Sequence, residues 1–299
     1  MTTKLLLHPH TAANLATFAG AAGGSAIFHG APGLGKSAAV RELAMRLNCL
    51  GDEAGPCAHC RAIVAGNFPD LLWLDRGDKA SLGIEAVRGL TAELGLRPYR
   101  AAAVRMVGIP DAQLLTPEAQ NALLKLLEEP PPATLIILTT TRVEALLLTV
   151  RSRCRLVHFV APGETAVATL LTSTHGVPGA TAQQLATAAG GAPGTAIALV
   201  EHPETAQALL ELTRQADAIA SHSLFERLLL AARLAAPGTD LEQFGSALHR
   251  RLIAATANGT LGPAQAAVQL GALERFRRGL QAKMAPRVAL ERLMLELGQ

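Results

Sequence analysis

"HGAPGLGKSA", residues 29–38, is the stretch on which the reading of the whole chain turns. Gly30, Gly35, Lys36 and Ser37 meet the spacing G-x-x-x-x-G-K-[ST], and Gly33 lies between them. Glycines allow backbone torsions closed to other residues, so successive N–H groups can turn inward around phosphate oxygens. Lys36 is then placed to reach the outer phosphates, and the Ser37 hydroxyl to hold Mg²⁺. The flanks fit this reading. Ser25-Ala26-Ile27-Phe28 is a short apolar run that predicts a buried strand. Val40, Leu43, Ala44 and Leu47 recur at helical spacing, so the loop opens a helix whose N-terminus favours anions. A glycine-rich turn with no ligand is the plain alternative, and it leaves the lysine and serine unexplained. Hydrolysis needs further groups than these.

At 299 residues the chain is long enough for two or three domains. Hydrophobic residues make up 49% and aromatics only 3%, so Ala, Leu and Val must fill the core, a composition that favours helices. A formal charge of +3 is too small to argue for nucleic acid by itself. No apolar stretch is long enough to span a bilayer, and the run "KLLL" before His8 is too short for a secretion signal. A cytoplasmic protein with no membrane partner is expected.

From residue 25 to about 160, strand and helix patterns alternate. Strands are predicted at Leu71–Leu74, Val104–Ile109, Leu135–Leu138 and Leu156–Phe159, with helices through Ile84–Leu94 and Val143–Val150. Thr116-Pro117-Glu118 starts another helix well, with Thr as N-cap, Pro in the first turn and Glu at the positive end. Pro130-Pro131-Pro132 stops it. Repeated strand–helix units predict a parallel sheet covered by helices on both faces. After Pro162 three short helical stretches are separated by Gly and Pro, and from Pro203 the helices lengthen with no strand. Ser223-x-x-Glu226 is a capping box, and Asp240 can cap the helix after it. The expected organisation is an α/β P-loop domain at 1–161, a small helical lid at 162–202 and an all-α domain at 203–299.

Three of the four cysteines, Cys49, Cys57 and Cys60, cluster in sequence and point first to metal. Cys154 stands apart and reads as a small buried side chain.

"GPCAHCRAIVAGNFPDL", "QNALLKLLEEPP" and "VRSRC" follow the cradle in that order. Together they resemble the bacterial clamp-loader subunits of the AAA+ class, and within that family the delta prime branch of DNA polymerase III. The resemblance is strong from about residue 25 to 160, moderate through the lid and thin beyond it, although "APRVALERLMLEL" is similar to the family's closing helix. It implies an AAA+ core, a lid and a helical collar that holds a ring together. It implies partnership with gamma/tau and delta subunits in a heteropentameric ring, which opens a sliding clamp and places it on primed DNA as part of the polymerase III holoenzyme.

The family also contains the gamma/tau ATPase motor, and three positions separate the branches. The motor follows its Mg²⁺-organising Asp with a Glu that activates water; here Asp111 is followed by Ala112, just after Pro110. The motor has a lid arginine in G-S-x-R, where this chain has Gly194. Ten positions separate Asp111 from Asn121, a spacing similar to delta prime. The resemblance therefore implies a cradle (Gly30, Gly33, Gly35, Lys36, Ser37, Asp111) that does not turn a nucleotide over; the alternatives are a static ATP or ADP, with Mg²⁺, and a relic whose site is occluded, and static binding is the reading taken. By the same resemblance Arg153, in the S-R-C position, is an arginine finger acting on a neighbouring motor's ATP. Family members carry four zinc thiolates. Here Cys57 and Cys60 match, Cys49 fits the upstream ligand, and Ile63 stands at the fourth position. His59 is expected to point outward and so to be a poor substitute. The alternatives left open are zinc and a metal-free loop held by apolar residues. Arg275, Arg277, Arg278 and Lys283 lie on a predicted helix and read as a solvated face rather than a DNA surface.

Overall fold

A computed structural model describes residues 5–18, 23–51, 57–77, 79–96 and 104–298. The opening Gly55-Pro56 of the cysteine motif falls outside them. The chain divides into two compact units, one made of residues up to Leu170 with Ala192–Thr195, the other of Leu171–Gly191 with the chain from Ala196 on.

The first unit is built on five parallel strands: β1 (Gly24–His29), β2 (Leu71–Trp73), β3 (Arg105–Ile109), β4 (Thr134–Thr140) and β5 (Arg155–His158), in the order β2-β3-β4-β1-β5. Ile27 of β1 lies opposite Leu138 of β4 and Leu156 of β5. The helices are α1 (Pro9–Ala16), α2 (Lys36–Asn48), α3 (Ala58–Val64), α4 (Ile84–Leu94), α5 (Pro117–Glu128) and α6 (Leu148–Arg151). Alternate strand residues feed two cores. Ile27, Val107, Ile109, Ile136 and Leu138 pack with α4, α5 and α6 on one face. Ala26, Phe28, Met106, Leu135 and Ile137 pack with α1, α2 and Ile63 of α3 on the other. Every residue of β4 is buried, as a strand covered on both faces requires.

Two helices of this unit were not foreseen, α1 and α3. Pro9, which reads in the sequence as the end of an apolar run, is instead the first residue of α1, where its missing N–H has no intrahelical role. A third difference is a correction. Val143–Val150 is not one helix but a 3-10 turn at Val143–Ala145, extended residues at Leu146 and Leu147, and then the single turn of α6. The break is held from outside by buried Gln120 of α5. Its amide donates to the carbonyls of Leu115 and Ala145, and its Oε1 accepts from the Leu147 N–H at 2.7 Å. The Ala145 carbonyl and the Leu147 N–H, which a continuous helix would have paired, are satisfied by that side chain instead.

Helices α7 (Glu164–His175) and α9 (Pro193–Glu201) each contribute residues to both units. The second unit holds α8 (Gly179–Ala188), α10 (Pro203–Ala218), α11 (Leu224–Leu234), α12 (Leu241–Ala257), α13 (Pro263–Gln281) and α14 (Pro286–Glu296). Its core is built around Phe244, Leu248, Leu273, Phe276, Leu290 and Leu293. The capping box at the start of α11 forms in both directions, and the Asp240 carboxylate accepts from the Gln243 N–H to begin α12. Arg275 and Arg278 of α13 pair with Glu296 and Glu274, while Lys283, expected on the same helix, lies beyond its end with φ 59°. Among the described residues no helix is long and apolar enough to cross a membrane.

Candidate nucleotide cradle and arginine site

The cradle sits where β1 ends. Gly30, Gly33 and Gly35 have φ of 146°, 72° and 81°, values that L side chains rarely adopt. Gly33 is needed for a second reason. A Cβ there would lie 2.0 Å from Thr195 Oγ1 and 2.7 Å from the Thr195 amide nitrogen. The N–H of Gly194 donates to the Gly33 carbonyl at 2.8 Å, and a Cβ on Gly194 would come within 2.9 Å of that same oxygen. The backbone at Gly194 therefore lies directly on the loop, too close for a Cβ without a shift.

Lys36 is 8% exposed, and its ammonium donates to the Gly30 and Ala31 carbonyls, each at 2.7 Å. Burial pulls its pKa down to about 8, opposed by the negative charge of Asp111. Ser37 follows in the first turn of α2, half-buried. Asp111 has a left-handed backbone, with φ 48°, and its carboxylate accepts from the Gln113 amide at 3.0 Å. Ala112 beside it is fully buried. The Asp111 charge thus acts on Lys36 at the cradle. Sequence reading missed the neighbours: His29 stacks on His158 at the ends of β1 and β5, with ring centroids 4.9 Å apart. Burial, His158 and Lys36 push the His29 pKa down, against a raising effect of Glu144. No spacing in the sequence signals this pair.

Arg153 lies in the turn between α6 and β5. Cys154, next to it, is buried in the core with Val150, and burial pushes its thiol up to about 12. That anchors the turn and leaves Arg153 facing outward. Its guanidinium binds the Glu128 carboxylate through Nε and Nη2 and donates from Nη1 to the Thr149 carbonyl at 2.9 Å. The nearby arginines differ. Arg155 lies 4.9 Å over the ring of Phe18, and Arg151 has a buried Nε with no hydrogen-bond partner.

The sulfurs of Cys49, Cys57 and Cys60 lie within 4.8 Å of one another. Backbone N–H groups, Leu50's first and Cys60's next, hold the Cys57 thiol down to about 6, while burial pushes Cys60 up to about 12. Three donors converge, but Ile63 is fully buried in the core and offers no ligand atom. His59 corrects the expectation of an outward ring. It is 5% exposed, lies tilted against Phe68 with ring centroids 5.3 Å apart, and donates from Nδ1 to the Asn48 carbonyl at 2.7 Å. A carbonyl can only accept, so Nδ1 carries the proton, and the ring's Nε2 is not within the sulfur cluster. Among the described residues the set does not close a four-ligand zinc tetrahedron.

Strand–cradle–helix geometry in a five-stranded parallel sheet, followed by helical units, is an α/β P-loop fold of the AAA+ type. Residues 16–163 match the family described as DNA polymerase III, delta subunit. The chain is 35% identical over 176 residues to DNA polymerase III subunit delta' of Escherichia coli (strain K12), covering 57% of this chain and 52% of that one. Against subunit tau/gamma of Haemophilus influenzae it is 31% identical over 145 residues, 47% of this chain and 21% of that one. The chain thus aligns with about half the length, or less, of the curated relatives it matches. A gamma subunit-related protein of Thermotoga maritima has the same fold, with TM-score 0.52 and 19% identity over 97% of this chain and 99% of that one. The family match over residues 16–163 and the delta' relatives support the likeness to clamp-loader subunits, and to the delta prime branch among them, that was read from the sequence.

Proposed function

We propose that this chain is a non-hydrolysing, delta prime-like subunit of a DNA polymerase III clamp loader. It supports the loading of a sliding clamp on primed DNA and supplies Arg153 to the ATP site of a neighbouring motor. The observation that carries this reading is Ala112. A buried methyl group follows Asp111, so no carboxylate stands there to orient an attacking water. Gly194, pressed on the Gly33 carbonyl, supports it by leaving no place for a lid cation. Gly30, Gly33, Gly35, Lys36, Ser37 and Asp111 would hold ATP or ADP with Mg²⁺ without turnover. Arg153 would bind γ-phosphate oxygens of the neighbour's nucleotide through its planar, permanently charged fork.

Residues 1–161 would form the AAA+ domain, 162–202 the lid and 203–299 the collar, with gamma/tau and delta subunits completing the ring. A gamma/tau-like motor is the second reading. The intact cradle favours it, and Ala112 opposes it. Co-purification with gamma/tau and delta subunits, followed by mass determination of the complex, tests the assembly. A steady-state ATPase assay on the isolated chain separates the two readings. Assembly without intrinsic turnover is expected. A chain that stays monomeric with every partner, or that hydrolyses ATP alone, overturns the proposal.

A further inference from the structure

Glu128 is the last residue of α5 and Glu129 its C-cap, so two carboxylates sit at the negative end of a helix dipole. That placement is unfavourable unless a cation compensates, and Arg153 is the cation in contact with Glu128. The two come from motifs far apart in sequence, "LLKLLEEPP" and "SRC", and both are mounted on rigid ground. Leu126 and Leu127 are buried beside Val150 and Cys154 in one core, and the Leu127 carbonyl accepts from the Ser25 hydroxyl of β1. Glu128 engages two nitrogens of the fork and the Thr149 carbonyl the third, so every nitrogen of Arg153 has a fixed partner. The guanidinium carries five N–H donors, more than these partners use, and it is about one-third exposed. The fork is thus oriented at all three nitrogens while donors remain for an incoming anion.

We propose that Glu128 is a positioning residue for Arg153: it holds the guanidinium in the orientation in which it meets the phosphate of a neighbouring subunit. The proposal rests on the trans-acting role given to Arg153 above. A free arginine would have to order its long side chain each time the site forms, and small misplacements of a charged group at a reacting centre are costly in rate. Glu128 removes that search.

The test uses the reconstituted clamp-loader complex, with Glu128→Ala, Glu128→Gln, Arg153→Ala and the Glu128/Arg153 double alanine variant made in this chain. Steady-state ATP hydrolysis is measured with clamp and primed DNA present. Glu128→Ala should lower kcat by roughly tenfold at the site served by Arg153, with KM for ATP unchanged. Glu128→Gln, which keeps an acceptor oxygen, should restore most of the rate. The double variant should be no slower than Arg153→Ala, and Glu129→Ala should match the wild type. In the isolated subunit, the Arg153 Nε–H resonance should be protected from exchange and lose that protection in Glu128→Ala. If Arg153→Ala slows hydrolysis and Glu128→Ala leaves kcat unchanged or raises it, positioning is wrong and the trans role stands. If Arg153→Ala has no effect, both fail together.

Discussion

Replacing Gln120 with methionine is the sharpest test of how the arginine turn is held. Gln120 is 3% exposed and makes three hydrogen bonds to backbone groups, two of them (Ala145, Leu147) in the broken segment before α6 and one (Leu115) just ahead of α5. Methionine has similar volume and no hydrogen-bonding amide, so packing is kept while the Leu147 N–H and the Leu115 and Ala145 carbonyls lose their partner. A typical bond contributes about 1 kcal/mol net, and a buried donor left unpaired costs about 1–3 kcal/mol. Three bonds at about 1 kcal/mol each give about 3 kcal/mol, the low end of the expected loss. For a unit of this size that lowers Tm by roughly 6–12 °C, at about 2–4 °C per kcal/mol. Thermal unfolding followed by circular dichroism reads the shift, and hydrogen exchange at the Leu147 amide should accelerate. Asn121→Ala, one residue along and exposed, should change little. A Gln120→Met protein that melts within a degree of the wild type would show that the bridging amide is not what holds the break.

Two further outcomes are expected at the cradle and the sulfurs. If the cradle binds nucleotide, Lys36→Ala should abolish binding of a fluorescent ATP analogue. Because the Lys36 pKa is pulled down to about 8, affinity should be steady below that pH. It should then weaken about tenfold per unit above it, as the ammonium that faces phosphate is lost; equal affinity at pH 7 and pH 9 would refute this. Elemental analysis should find zinc substoichiometric or absent, since Cys49, Cys57 and Cys60 supply only three thiols. One ion per chain, with stability lost to a chelator, would mean that a fourth ligand completes the site.

What the sequence disclosed follows the range of the forces involved. The cradle was legible because its requirements are local: glycines at positive φ, a lysine at the helix start, an apolar strand before it. The parallel sheet was legible because apolar runs and helical spacing alternate along the chain. The break before α6 was not, since the groups that satisfy it belong to Gln120, 27 residues from Leu147. His59 was misplaced for the same reason: the Asn48 carbonyl and the Phe68 ring draw it inward, and neither is next to it in sequence. Glu128 was visible as part of a motif, but its partner lies 25 residues away and only the fold brings them together. The start of α1 is a different case. His8-Pro9 is a readable N-terminal signal, with the His8 ring accepting from the His10 N–H, although the proline also reads as the end of an apolar run.

The central claim is that this chain acts on a neighbour's ATP and not on its own. It is tested most directly by ATP hydrolysis in the reconstituted complex, with Arg153→Ala set against Arg155→Ala as the control. Arg155 carries the same charge two residues away but is laid over Phe18, outside the Glu128 pair. An arginine finger is worth about 10³–10⁵ in rate at the site it serves. Arg153→Ala should therefore leave assembly intact and silence one motor site, while Arg155→Ala hydrolyses ATP and loads clamps as the wild type does. A complex with Arg153→Ala that runs at the unmodified rate would contradict the account.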